Sequence, residues 1–84
     1  MSREFVYPAT LTPASATASN ESGFVVTFRD LPEAITQADS LESALTEATD
    51  CLAEAIANRT RRKMEIPLPS LPTEGQLAVS VWVE

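Results

Sequence analysis

Leu41, Ala44, Leu45, Ala48, Cys51, Leu52, Ala55 and Ile56 recur at intervals of three and four residues, which draws one apolar stripe down about four turns of helix. Such a stripe has to be covered, and a sheet is the natural cover for a single helix. Asp39 is placed to cap the helix N-terminus, with Glu42 three residues on to return the bond to the cap, and Ser40 is a competing cap. The alanines allow close approach to the covering surface, and the helix should end near "NRTRRK", residues 58–63.

The flanking sequence supplies the strands. "EFVYPATL" (4–11) puts Phe5, Tyr7, Ala9 and Leu11 on one face at period two, while Pro8 lacks the N–H that a centrally paired position needs, so a partly unpaired stretch is expected there. A small, polar connection, "TPASATASNESG", leads to "FVVTF" (24–28), a short buried strand. "RDLPE" then turns the chain, and "AITQA" forms a third strand before the helix. After the helix, Pro67, Pro69 and Pro72 impose an extended, polyproline-like connection, and "QLAVSVWVE" alternates as a last strand. The order is βββαβ, an α+β fold with an antiparallel-rich sheet and one helix packed on one face.

Eighty-four residues and 9.1 kDa make one domain, residues 1–84, near the size at which a single core barely suffices, so association with a copy or a partner is expected. Six basic and twelve acidic residues give a net charge of −6, which disfavours a phosphate backbone as ligand and favours a basic protein. The single Cys51 forms no internal disulfide, no signal peptide or membrane span is evident, and the chain reads as cytoplasmic.

The residue types leave little room for catalysis. There is no histidine to serve a nucleophile, and Lys63 sits in a basic cluster with nothing to depress its pKa. Cys51 lies on the apolar stripe and reads as a core residue. The two glycines form no phosphate cradle, and the carboxylates are divided between a turn and a helix face rather than converging on a metal. No cofactor and no metal are expected.

Three surfaces are candidates for recognition. Glu47, Asp50 and Glu54 form an acidic ridge opposite the stripe, complementary to a cationic partner. Asp30 and Glu33, in the turn before the third strand, are free to join it. Trp82 faces away from Leu77, Val79, Val81 and Val83, and one helix cannot cover both faces. The second is covered by the chain's own loop, by the proline-rich segment, or by another subunit with Val79, Val81 and Trp82 at the interface. The basic run Arg59, Arg61, Arg62 and Lys63 is accounted for by the negative end of the helix dipole.

The stretch "FVVTFRDLPEAITQADSLESALTEATDCLAEAI", followed by "IPLPS" at 66–70 and preceded by "FVYPATL", resembles the HicB-like antitoxins. The likeness rests on Phe28, Asp30, Leu31, Pro32, Thr36, Asp39, Ser40, Glu42, Ala44, Ile66, Pro67, Pro69 and Ser70. Arg29 stands where the family has Pro, Glu33 and Ala38 where it has Gly, and Ser43 where it has Glu. The resemblance implies a partial ribonuclease-H-like domain without nuclease carboxylates, an oligomer that binds a small basic HicA toxin which cleaves mRNA. The DNA-binding domain that many members carry has no counterpart in this sequence, so nucleic-acid binding is not carried over. A stand-alone ligand-binding or regulatory domain of the same fold, or a residual nuclease, would be the alternatives.

Overall fold

The computed structural model describes residues 3–14 and 23–83, with the side chain of Val83 outside that description. Its elements are β1 (Arg3–Pro13), β2 (Phe24–Phe28), β3 (Ile35–Ala38), α1 (Leu41–Arg61) and β4 (Leu77–Val83). The expected βββαβ order is the observed one. The middle of the connection between β1 and β2, residues 15–22, lies outside the described residues.

The four strands form one antiparallel sheet in the order β3-β2-β1-β4. β1 divides its pairing: Arg3 to Ala9 run against β4, and Ala9 to Pro13 against β2. Pairing with β2 therefore begins at Ala9, one residue after Pro8, and the missing N–H costs no ladder bond on that side.

Register decides which side chains meet. Tyr7 lies opposite Val79, Ala9 opposite Phe28 and Leu11 opposite Val26, so these residues share one face, and α1 packs over it with Ala44, Ala48, Leu52, Ala55 and Ile56 inward. Tyr7, Phe28, Leu31, Leu52, Ile56 and Val26 are the largest side chains fully buried on this side. Each stabilises the fold by roughly 1.5–3 kcal/mol relative to exposure. At the stripe's N-terminal end the alanines make the contact, and Leu41 and Leu45 are left exposed on its flank.

The helix starts at Ser40 rather than at Asp39. Ser40 has extended backbone (φ −141°, ψ 166°), its hydroxyl accepts from the Ser43 N–H at 3.1 Å, and Ser43 Oγ accepts from the Ser40 N–H at 3.2 Å. The box is thus built by two serines, not by Asp39 and Glu42. Ala38 is still paired with Phe24, and the backbone of 38–39 lies so close to Gly23 that a Cβ there would sit 2.3 Å from Ala38 O. The chain remains extended through Asp39, and helical dihedrals begin one residue later than the sequence pattern implied.

At the other end Lys63 takes a left-handed conformation (φ 56°), the Lys63 N–H donates to Thr60 O at 3.1 Å, and the Met64 N–H donates to Arg59 O at 2.8 Å. This is a Schellman closure with lysine in the place that usually holds glycine.

Candidate functional site

Glu47, Asp50 and Glu54 follow one another at helical spacing along α1, and all three are exposed. Glu54 lies 3.8 Å from Arg61, a solvated pair at the edge of contact. The ridge is therefore a line of carboxylates open to solvent, as its spacing indicated, with one weak cationic neighbour at its C-terminal end.

The turn acids behave differently from the expectation that they are free. Asp30 accepts two hydrogen bonds from one residue, from Ser70 N at 2.8 Å and from Ser70 Oγ at 2.6 Å. Glu33 takes the Arg59 guanidinium through both oxygens, with Nε at 2.6 Å and Nη2 at 3.0 Å. That bidentate bond holds the Glu33 carboxyl below the usual carboxylate range against a smaller opposing effect of burial. Both acids are structural ties, formed with residues 40 and 26 positions away.

These ties converge on the segment after α1. Arg59 Nη1 also donates to Glu65 O at 2.9 Å, and Tyr7 Oη donates to Pro67 O at 2.6 Å. Burial raises the Tyr7 phenol above its ordinary value, with the Asp30 charge adding to the effect. Ile66 packs against the core beside them. The proline-rich connection thus lies on the helix side of the sheet, next to the part of β1 that β2 leaves unpaired. It does not cover the opposite face.

On that opposite face Trp82 is 65% exposed, with Val6 and Ile35 also exposed and Pro8 buried. Gln76 Nε2 donates to Thr10 Oγ1 at 3.0 Å where the chain enters β4. Val79 and Val81 point the other way and belong to the core under α1. Of the three residues expected at an oligomer interface, Trp82 alone presents its side chain outward; alternation along β4 forces the separation.

Cys51 is half-buried against the core, and its thiol is pushed up by burial, with Glu47 adding to the shift. A thiol in that state is a packing residue rather than a nucleophile. Among the described residues, no three His, Cys, Asp or Glu side chains lie together in a manner that could hold a metal ion. Among the described residues, no helix is long and apolar enough to cross a membrane. What the geometry offers chemically is recognition: charged and apolar surfaces on a rigid frame.

The sequence model of the family described as HicB-like antitoxin of bacterial toxin–antitoxin system matches residues 6–84. The chain belongs to this antitoxin family. Among curated relatives, antitoxin HicB of Escherichia coli (strain K12) is 42% identical over 64 residues, which cover 76% of this chain and 43% of the relative. Antitoxin HicB 1 of Photorhabdus laumondii is 43% identical over 63 residues, covering 75% of this chain and 37% of the relative. The matched region spans less than half the length of these relatives.

Within the HicB-like pattern, Asp30 and Ser70 are two positions on which the likeness rests, and they prove to be each other's partners. Neither Glu33 nor Ala38, which replace family glycines, takes a positive φ. The corner is built with ordinary dihedrals: Leu31 N–H donates to Phe28 O, Ala34 N–H to Leu31 O, and Leu31 is buried. The exposed leucines of the proline-rich segment, Leu68 and Leu71, were not singled out by sequence reasoning. The prolines around them were the available signal.

Proposed function

We propose that this chain is an antitoxin module that binds and occludes a small basic HicA-type toxin, an mRNA-cleaving ribonuclease. Membership of the HicB-like family supports the class of activity. The observation that carries the choice of surface is the outer face of α1, where, among the described residues, Glu47 and Asp50 stand exposed without an ion pair and Glu54 has only a loose one. A partner whose cationic groups bind RNA phosphates would meet carboxylates there instead, and covering those groups inhibits it without chemistry by this chain. Asp30 and Glu33 contribute indirectly, by fixing the corner and the strap.

The module works as a homodimer or larger assembly in the cytoplasm, with the open sheet face around Trp82 as the self-association surface. It needs no cofactor, and nucleic acid is not its ligand. Co-expression with a HicA-type toxin, followed by pull-down, tests the reading. Retention that weakens with salt is expected, and the E47K/D50K/E54K variant should bind at least about tenfold more weakly. Unchanged affinity would remove α1 from the contact; no binding by the unaltered chain, or RNA cleavage by the purified chain with magnesium or manganese, would overturn the function itself.

A further inference from the structure

Residues 64–73 adopt neither helix nor strand, yet this strap is tied to the folded body at four residues. Glu65 is held through its carbonyl by Arg59, Ile66 packs on the core, Pro67 accepts from the Tyr7 hydroxyl, and Ser70 donates twice to Asp30. Between and beyond the anchors stand Leu68, 89% exposed, and Leu71, 85% exposed. A lone exposed leucine needs no explanation. Two of them, displayed by a clamped segment of a domain with so small a core, are a different case.

The local sequence fixes how they are displayed. Leu68 precedes Pro69 and Leu71 precedes Pro72, so each leucine is restricted to extended or polyproline backbone. In a polyproline II run, residues three apart share one edge, about 9 Å from each other. The bound conformation exists before any partner arrives, which lowers the ordering entropy lost on association.

Charge around the strap points to one kind of occupant. Glu65 and Glu74, both exposed, bracket the leucines, and no lysine or arginine occurs from Met64 to the end of the sequence. Of the cations nearby, Arg59 is engaged by Glu33 and Arg3 lies over the Phe5 ring at 4.9 Å, while Arg62 and Lys63 stand exposed at the helix end, before the strap begins. The fitting surface is an apolar, aromatic-lined groove with a basic rim.

We infer that Leu68 and Leu71 form a preformed hydrophobic ridge that seats in such a groove on the basic toxin. This rests on the antitoxin reading above and adds to it a second, apolar contact, distinct from the acidic face of α1. Because the contact is apolar, its contribution persists at high salt, where that of the helix carboxylates fades.

The test measures binding of a HicA-type toxin to the unaltered chain and to L68S/L71S, at low and high salt. Both side chains are exposed, so the variant should keep its unfolding midpoint while its affinity falls at least about tenfold at both salt levels. Affinity within about twofold of the unaltered chain would overturn the ridge and leave the antitoxin reading standing. No binding by the unaltered chain would overturn both. As an independent measurement, Leu68→p-benzoylphenylalanine should cross-link to the toxin on illumination; no adduct, or an adduct only with a second copy of this chain, would overturn the ridge.

Discussion

Removing the Asp30 carboxylate should loosen the strap and lower the stability of the whole domain. Asp30→Ala deletes two bonds from Ser70, at 2.8 and 2.6 Å, to a charged acceptor in a partly buried position. Hydrogen bonds to charged groups contribute about 1.5–3 kcal/mol each when buried. Water reaches this site and can replace part of what is lost, so the two together should be worth about 2–3 kcal/mol, toward the lower end of their sum. For a domain of this size that corresponds to a fall in Tm of roughly 10–15 °C. Asp30→Asn keeps an acceptor for the Ser70 N–H and can donate its amide to the hydroxyl, so its loss should be nearer ~1 kcal/mol. Ser70→Ala removes only the hydroxyl bond, and in the Asp30→Ala background it should cost almost nothing, giving a coupling of about 1 kcal/mol. Urea unfolding followed by the far-ultraviolet circular dichroism of α1 measures all four corners of this cycle. The reasoning is refuted if Asp30→Ala lowers stability by less than about 0.5 kcal/mol, or if Ser70→Ala costs the same in both backgrounds. Faster exchange of the Ser70 amide with an unmoved midpoint would show instead that the strap detaches on its own and is not part of the cooperative unit.

Three further outcomes follow from particular residues. Lys63→Gly should raise stability by about 0.5–1 kcal/mol in thermal unfolding, because Lys63 sits at φ 56° in the helix closure and glycine takes that conformation without the Cβ penalty. Gly23→Ala should destabilise by more than about 1 kcal/mol, since φ is +93° and the added Cβ would stand 2.3 Å from Ala38 O, backbone that cannot swing aside. Glu33→Gln should remove a pH-dependent increment: the folded carboxyl lies below its ordinary value of 4.5, so its contribution is present above that value and disappears as pH falls through the lowered one. The Glu33 side chain is 41% exposed, which limits the difference near neutral pH to under about 1 kcal/mol, and unfolding curves of the two proteins should converge in acid.

Local pattern and tertiary context divided the candidate site between them. The acidic ridge was legible because Glu47, Asp50 and Glu54 belong to one helix, where spacing alone fixes the face they share. Asp30 and Glu33 read as free in the sequence because Ser70 reaches Asp30 only when the strap folds back over β1, and Arg59 reaches Glu33 only when α1 packs on the sheet. Val79 and Val81 were assigned together with Trp82, yet pairing in the sheet turns them into the core and Trp82 out of it. The exposure of Leu68 and Leu71 had no sequence signature beyond the prolines that follow them.

The sequence by itself determined the element order, the one amphipathic helix, the pleat of each strand and the extended strap, since these depend on dihedral preference and on the periodicity of apolar residues over a few positions. The tertiary structure alone decided which acids are tied and which stand open, where the helix begins, and which leucines stay in water. The ties of the acids rest on contacts between residues 26 and 40 positions apart and the helix start on the pairing of Phe24 with Ala38, and no local regularity encodes partners that distant.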